Sequence, residues 1–147
     1  MTTVLLLHGP NLNLLGEREP DVYGTDTLGD YVAYATRAAA AHGLAVDAHQ
    51  SNSEGALIDH IHAARTNGTA AIIINPGAFT HYAWALHDAL KAFTGPIVEV
   101  HISNPNAREP WRHTSVVAPA ATGSIMGFGK HGYDLAVRAV AEQLERG

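Results

Sequence analysis

The chain has 147 residues, a length typical of one ordinary domain whose hydrophobic core needs no metal or disulfide support. It contains no cysteine, which excludes disulfides, thiolate metal ligands and a thiol nucleophile. The formal net charge of -5 argues against a nucleic-acid-binding protein, since such proteins need a concentrated basic surface. No signal-peptide pattern opens the chain and no apolar run is long enough to span a bilayer, so we expect a cytoplasmic protein that contacts neither membrane nor nucleic acid.

Apolar runs typical of strands alternate with helical patterns along the chain. The first strand is predicted at Val4–Leu7, and a connection that stays irregular follows it to about Thr27. Capping-box spacing over Thr27–Asp30 then starts a helix that ends before Gly43. A long irregular connection in a compact domain is usually a binding loop or a lid.

The same alternation continues to the end of the chain. Further strands are predicted at Leu44–Gln50, Ala70–Ile74, Ile97–Ile102 and Ser115–Pro119, and further helices from Ser53 to Asn67, from about Tyr82 to Phe93 and from about Gly132 onward. A polar connection is predicted over Asn104–Thr114 and a glycine-rich turn over Gly123–Gly129. Five strands alternating with helices predict an α/β three-layer sandwich with a parallel sheet in the flavodoxin-like order 2-1-3-4-5. With no repeat or linker, we assign one domain to residues 1–147.

Chemically distinctive side chains follow three of the predicted strands. In sheets of this type the ligand lies beyond the carboxyl ends of the strands, at the switch point between strands one and three. We therefore expect one crevice to collect Asn11, Arg18 and Tyr23 after strand one, Asn75, Gly77 and His81 after strand three, and Glu99, His101, Ser103, Arg108 and Arg112 at and after strand four.

Arg18 and Tyr23 form a candidate base on the first connection. Gly16 and Gly24 bracket them and let the backbone flex there. An arginine close to a phenol favours its ionised form, because opposite charges attract. The pair is therefore a candidate activated base on a flap.

Glu99 and His101 alternate on strand four and so share one face of it. A carboxylate beside an imidazole fixes its tautomer and stabilises its protonated form, which suits a general acid. Taken alone, His101 is more readily an ordinary strand-end histidine whose hydrogen bonds are satisfied by the backbone. The expected proximity of His101 to the first connection favours its role as a general acid.

Three further groups are candidates for substrate binding, each with a plain structural alternative. The amides of Ile102 and Ser103 could bind a carboxylate, or Ser103 could simply open a turn. Arg108 and Arg112 could bind anions or hydroxyls, or pair with Glu109 at the surface. The tight turn from Asn75 to His81 could bind a polyol or a carboxylate, or serve only to cap the next helix.

The sequence predicts neither a metal nor a cofactor. His60 and His62 are two residues apart on a predicted helix and face different sides, and no zinc-protease motif occurs. No glycine-rich fingerprint follows a strand. A phenolate base, a histidine acid and amide donors without a cofactor suit proton abstraction beside a carbonyl followed by loss of a leaving group, with Asn11 stabilising the enolate.

The chain resembles type II 3-dehydroquinate dehydratase (type II dehydroquinase) over nearly its whole length. The resemblance is carried by Gly9–Gly16, Arg18–Pro20, Tyr23-Gly24, Gln50–Gly55, Asn75–Gly77, Thr80-His81, Ala85-Leu86, Asp88-Ala89, Glu99–Pro105, Ala107–Glu109 and Arg112-His113. It implies a flavodoxin-like subunit that removes water from 3-dehydroquinate by anti elimination through an enolate, giving 3-dehydroshikimate.

The resemblance also implies a role for each matching residue. Tyr23 would be the base, assisted by Arg18, and His101 the acid, oriented by Glu99. Asn11 would hold a water against the enolate oxygen. Substrate would be bound by Asn75, His81, Ile102, Ser103 and Arg112, with Arg108 supporting the site and the flap. Asp88 would reach the site of a neighbouring subunit in a trimer, and trimers would form a dodecamer.

The chain departs from the pattern of the family at several positions. His8 stands where asparagine is common, and the other departures are at Tyr82, Ala83, Trp84, His87, Asn106, Thr114 and Val116. None removes a predicted catalytic group, although they affect packing beside the site and the surroundings of Asp88. Two other functions remain open from the residues alone: a different lyase or isomerase that acts on a polyhydroxy acid, and a binding module without activity. The resemblance does not separate aromatic biosynthesis from quinate breakdown, because both use the reaction.

Overall fold

The computed structural model describes residues 1–147 and contains a five-stranded parallel sheet between two layers of helices. The strands are β1 (Thr2–His8), β2 (Leu44–Gln50), β3 (Ala71–Asn75), β4 (Ile97–His101) and β5 (Gly123–Met126). Their order, β2-β1-β3-β4-β5, confirms the predicted flavodoxin-like topology. The helices are α1 (Pro20–Tyr23), α2 (Leu28–Ala40), α3 (Glu54–Ala64), α4 (Trp84–Lys91) and α5 (His131–Arg146).

Both faces of the sheet are covered, which explains why the central strands are apolar without alternation. On one face, Val4 and Leu6 of β1 pack in a core formed with α2 and α5. On the other face, Leu5 and Leu7 pack in a second core formed with α3 and α4. The polar residues at the ends of the strands are therefore held by a rigid, doubly covered sheet.

The fifth strand lies later in the chain than the sequence predicts. The predicted strand Ser115–Pro119 is a loop that runs into a short 3-10 helix, and β5 is Gly123–Met126, inside the predicted glycine-rich turn. Val116 and Val117 are buried, but the Val116 amide bonds to the Thr80 carbonyl instead of to a neighbouring strand. Their apolar character thus reflects burial beside α4 and not membership of the sheet.

The first connection is more regular than predicted. A 3-10 helix covers Leu12–Leu14, and α1 begins at Pro20, whose fixed φ suits the first turn of a helix. The other helices begin and end within about three residues of the predicted limits. α4 is shorter than expected, since it starts at Trp84 and ends at Lys91.

Two glycines, Gly9 and Gly77, let the loops after β1 and β3 approach each other closely. An added Cβ on Gly9 would lie 2.1 Å from the carbonyl oxygen of Pro76, a separation that no side chain tolerates. Gly77 has a φ of +58° and would direct a Cβ to 3.2 Å from the Pro10 carbonyl oxygen. This close approach brings the ends of β1 and β3 to the same crevice. No helix in the structure is both long and apolar enough to cross a membrane.

Candidate active site

A cleft of about 240 Å³ lies beyond the carboxyl ends of β1, β3 and β4, where the topology predicts a ligand site. Ten of the twelve predicted site residues line it: Asn11, Arg18, Tyr23, Asn75, His81, His101, Ile102, Ser103, Arg108 and Arg112. The three polar groups that were separate in the sequence therefore converge on one small-molecule site.

Tyr23 lies at the end of α1 between two arginines. The Nη1 of Arg108 donates a hydrogen bond to the Tyr23 hydroxyl oxygen at 2.7 Å and another to the Ser103 Oγ at 3.2 Å. The guanidinium of Arg18 lies 5.3 Å from the centre of the Tyr23 ring. A guanidinium has no acceptor, so the phenol oxygen accepts from Arg108, as a phenolate oxygen would.

The loop that carries Tyr23 contains two residues with left-handed backbone conformation. Asn11 has a φ of 68° and Glu19, just before α1, has a φ of 42°. Such conformations are unfavourable for most side chains and concentrate at functional sites. Glu19 lies 3.2 Å from Arg18 and 3.8 Å from Arg108, so it holds both arginines on the Tyr23 side of the cleft.

His101 lies at the end of β4 and is backed by Glu99. The Nε2 of His101 is 2.5 Å from the Glu99 Oε2, so this nitrogen carries a hydrogen that the carboxylate accepts. Nδ1 has no partner within the chain and is the nitrogen available to a ligand. Protonation of His101 therefore adds a hydrogen at Nδ1, beside the cleft, while Glu99 stabilises the resulting charge.

The Glu99 carboxylate is fully buried and is surrounded by hydroxyl donors. Thr80 lies 2.5 Å from Oε2, Ser115 lies 3.1 Å from both oxygens, and Ser124 lies 3.4 Å from Oε1. Burial alone raises the pKa of Glu99, but the hydrogen bonds and the charge of His101 outweigh it and hold the pKa below its usual value. The cradle keeps Glu99 ionised behind His101.

The third part of the cleft contains His81, Trp111 and Arg112. His81 Nδ1 donates to the Thr114 carbonyl at 2.7 Å, which leaves Nε2 as an acceptor for a ligand. Burial lowers the pKa of His81 and so favours the neutral ring. Arg112 stacks 4.0 Å from the centre of the Trp111 ring and lies 3.1 Å from Glu109. The pairing of Arg112 with Glu109 that the sequence left open is thus present. Arg108 and Arg112 nevertheless both line the cleft.

Asn75, at the end of β3, is held by a buried contact with α5. Its Oδ1 accepts from the Gly77 amide at 3.2 Å, and its Nδ2 donates to the Tyr133 hydroxyl oxygen at 3.2 Å. The same hydroxyl lies 2.8 Å from Nε2 of His8. Neither Tyr133 nor His8 lines the cleft, and no pattern in the sequence indicates this contact.

Two predicted site residues do not line this cleft. Glu99 lies behind His101, and Asp88 lies on α4, outside the set of residues that form the cleft. Sequence reasoning in turn missed Trp111 as a lining residue, although an aromatic between two arginines is a recognisable signal, and it missed Thr80, Ser115 and Tyr133 behind the site. No group of three or more histidine, aspartate or glutamate side chains is arranged to hold a metal ion.

The departures from the family pattern lie outside the cleft. Trp84 contacts His87 edge to face, and Nδ1 of His87 donates to the Val116 carbonyl at 2.7 Å, so these residues fasten α4 to the segment after β4. Tyr82, like Trp84, is 61% exposed. The Asn106 backbone amide bonds to the Asn104 side chain within a tight turn. Three departures contact residues that form or support the site: His8 bonds to Tyr133, the Thr114 carbonyl accepts from His81, and the Val116 amide donates to the Thr80 carbonyl.

The fold and the cleft define a flavodoxin-like α/β protein with a small-molecule site built from ionisable side chains. A family model described as Dehydroquinase class II matches residues 2–141. The chain belongs to the class II dehydroquinase family.

Its relatives match over almost their full lengths. A 3-dehydroquinate dehydratase of Xanthomonas oryzae pv. oryzae is 55% identical over 145 residues, which cover 99% of this chain and 98% of the relative. One from Rhodopseudomonas palustris is 55% identical over 142 residues, covering 97% and 94%. The crystal structure of type II dehydroquinase from Propionibacterium acnes superimposes with a TM-score of 0.92 at 44% identity and covers 97% of both chains.

Proposed function

We propose that this protein is a 3-dehydroquinate dehydratase, a hydro-lyase that converts 3-dehydroquinate into 3-dehydroshikimate by anti elimination of water through an enolate. Family membership and the names of the relatives support the activity. The single observation that carries the mechanism is the pairing of groups in the cleft. A phenol bound to a guanidinium and an imidazole bound to a carboxylate line the same small site.

Tyr23 is the base in this proposal. It takes the hydrogen from the carbon beside the ketone, and the electron pair of that bond moves to the ketone oxygen to form the enolate. Arg108 stabilises the Tyr23 phenolate through its 2.7 Å contact, and Arg18 adds positive charge over the ring. Asn11 holds a water against the enolate oxygen, where negative charge develops.

His101 is the acid of the second step. The enolate reforms the ketone, a carbon–carbon double bond forms, and the hydroxyl on the next carbon leaves as water with a proton from His101. The proton comes from Nδ1, because Nε2 is engaged with Glu99. Glu99 stabilises the imidazolium before the transfer and fixes the orientation of the ring.

The remaining cleft residues bind the substrate. Ile102 and Ser103 present the backbone at the end of β4 to the substrate carboxylate, and Arg112 adds a cation. Asn75 and His81 bind hydroxyls, for which the free Nε2 of His81 is an acceptor. Arg108 also ties Ser103 to Tyr23 and so links the substrate-binding end to the flap.

We also propose that the protein works as a homo-oligomer, a dodecamer built from trimers, in which Asp88 reaches the site of a neighbouring subunit. The position of Asp88 outside its own cleft supports this role. Residues 1–147 act as one catalytic domain in the proposal. The reaction serves the shikimate pathway or quinate breakdown, and a cytoplasmic location stays a prediction from the sequence.

The direct test is to mix the protein with 3-dehydroquinate and to follow the ultraviolet absorbance of the conjugated product. Substrate carrying deuterium stereospecifically beside the ketone reports the geometry, because anti elimination removes only the hydrogen opposite the leaving hydroxyl. No absorbance change would refute the activity. Loss of the hydrogen on the same side as the hydroxyl would refute the assignment of Tyr23 and His101 to opposite faces.

A further inference from the structure

A buried chain of three side chains lies behind the cleft. It runs from Asn75, at the end of β3, through the hydroxyl of Tyr133 on α5, to the ring of His8 on β1. All three side chains are almost completely buried. Among buried side-chain nitrogens and oxygens, only His8 Nδ1 has no hydrogen-bond partner. A buried polar group without a partner destabilises a fold, so its presence calls for a reason.

The hydrogen positions in this chain follow from counting donors and acceptors. The Gly77 amide can only donate, so the Asn75 atom that faces it is Oδ1 and the amino group faces Tyr133. The Tyr133 oxygen therefore accepts from Asn75. Its own hydrogen has one acceptor within reach, Nε2 of His8 at 2.8 Å. His8 Nδ1 lacks a partner in either tautomer, but a hydrogen on Nε2 would leave the Tyr133 hydrogen without a partner as well.

His8 is therefore neutral with its hydrogen on Nδ1. Burial lowers the pKa of His8 to about 4, which agrees with a ring that stays neutral and accepts from Tyr133. Its ring also stacks on Tyr133, with centroids 5.7 Å apart and an angle of 10° between the planes. Stacking and the hydrogen bond together fix the direction of the Tyr133 hydroxyl.

We propose that Tyr133 and His8 are positioning residues that hold the Asn75 carboxamide in the orientation that binds substrate. The inference rests on the proposed function, in which Asn75 contacts substrate. Asn75 has two anchors, the Gly77 amide and the Tyr133 hydroxyl. Without Tyr133, only the Gly77 contact opposes rotation of the carboxamide. His8 acts through Tyr133, because Nε2 of His8 accepts the hydroxyl hydrogen of Tyr133 and so directs it away from Asn75.

The kinetic test uses the full-length protein with 3-dehydroquinate. Tyr133→Phe is expected to raise KM about tenfold, equivalent to about 1.4 kcal/mol, and to change kcat less than about twofold, because binding is weakened equally in the ground and transition states. His8→Leu is expected to raise KM similarly. His8→Gln, which keeps an acceptor, is expected to restore KM towards that of the parent.

A control variant and a double-mutant cycle distinguish the positioning role from a merely structural one. Val140→Ala removes buried methyl groups from the same helix and is expected to lower Tm while leaving KM unchanged. In an Asn75→Ala background, Tyr133→Phe is expected to have no further effect on KM. An unchanged KM in Tyr133→Phe, an equal rise in both backgrounds, or equal KM values for His8→Leu and His8→Gln would overturn the proposal.

If the proposed function is wrong, the experiments give a different result from the one that overturns the positioning role. A parent protein that does not dehydrate 3-dehydroquinate refutes the activity and leaves the positioning role to be tested by structure. A crystal structure of Tyr133→Phe is then expected to show the Asn75 carboxamide rotated away from Gly77. An Asn75 side chain in the parent orientation would overturn the positioning role whatever the activity.

Discussion

Arg108 donates a hydrogen bond to Tyr23 across 2.7 Å, although the two residues are 85 positions apart in the chain. Arg108 lies in the connection after β4, whereas Tyr23 lies on the loop after β1. The candidate base is therefore held by a cation from a distant part of the chain. The arginine on its own loop, Arg18, contacts the face of the ring instead of the oxygen.

Tyr23→Phe is expected to abolish turnover. The change removes only the oxygen that accepts the substrate proton, so we expect kcat to fall by at least about 10³-fold with little loss of substrate affinity. Steady-state assays and calorimetric titration with 3-dehydroquinate measure the two effects. The matched control is Tyr34→Phe, which removes a hydroxyl outside the cleft and is expected to keep the parent kcat. Full activity of Tyr23→Phe would rule out this residue as the base.

Arg108→Lys is expected to lower kcat about 10- to 100-fold. A lysine keeps the charge, but a single ammonium cannot reproduce the planar donor that contacts Tyr23 and Ser103 together. Assays at saturating substrate measure kcat. Arg138→Lys, on the exposed face of α5, is the control and is expected to match the parent. A kcat within twofold of the parent for Arg108→Lys would show that the fork geometry is not needed.

Thr80→Val is expected to destabilise the protein by about 1–3 kcal/mol at neutral pH, because the Glu99 carboxylate loses a buried donor. The folded pKa of Glu99 is below its usual value of 4.5, so the stability linked to its charge is present above about pH 4.5 and is lost as the pH falls through the folded pKa. The difference in unfolding free energy between variant and parent should therefore become smaller at acidic pH.

Denaturant unfolding from pH 7 down to the lowest pH at which both proteins stay folded measures this effect. Thr36→Val is the control, since the hydroxyl of Thr36 bonds to a helix carbonyl away from the cleft and surface changes typically stay within about 0.5 kcal/mol. A Thr80→Val penalty that stays the same over this whole pH range would contradict the link to Glu99.

His8→Asn is expected to make the protein less sensitive to acid. Burial lowers the pKa of His8 from 6.5 to about 4, so the unfolded chain binds more protons between these values and stability falls as the pH falls from 6.5 to 4. The loss approaches about 3 kcal/mol at about 1.4 kcal/mol per pH unit. Asparagine does not titrate, so that part of the slope should vanish.

Unfolding free energies measured from pH 7 to pH 4 give the slope for parent and variant. His60 and His81 also have lowered pKa values and remain in both proteins, so the difference between the slopes isolates His8. The exposed His42 supplies a control in His42→Asn. Parallel slopes for the parent and His8→Asn would contradict a neutral, buried His8.

Gly9→Ala is expected to disrupt the junction between the first and third loops. The added Cβ would lie 2.1 Å from the Pro76 carbonyl oxygen, so backbone must move, at a cost of about 1–3 kcal/mol or more. Both the Tm measured by thermal unfolding and kcat should decline. At Gly123 no atom lies within 4 Å of an added Cβ, so Gly123→Ala is the control. Equal Tm values for the two variants would show that the loops can separate without penalty.

The strand order and the convergence of the loops were predictable from the sequence, because both follow from apolar periodicity and from the geometry of parallel sheets. The position of β5 was not. Its residues, Gly123–Met126, form a partly exposed edge strand with a weak apolar pattern, whereas Val116 and Val117 form a stronger pattern for another reason. Burial of a loop and membership of a sheet give the same local signal.

The candidate site shows a similar division. The side chains that face the cleft lie at the ends of strands or in the connections that follow them, and the topology of a parallel sheet brings those segments to one edge. The groups behind them lie far away in sequence: Thr80 and Ser115 reach Glu99, and Tyr133 reaches Asn75. Such contacts depend on how helices pack on the sheet, which no local pattern specifies.

The two groups proposed to transfer protons lie on different kinds of structural element. His101 ends a central strand, whereas Tyr23 lies on a segment bounded by Gly16 and Gly24, which have positive φ values of 93° and 78°. A swing about these two glycines would carry the acceptor away and leave the donor in place. An open protein would then hold only one of the two groups proposed to transfer protons, so that product could depart without being rehydrated and water could exchange before the next cycle.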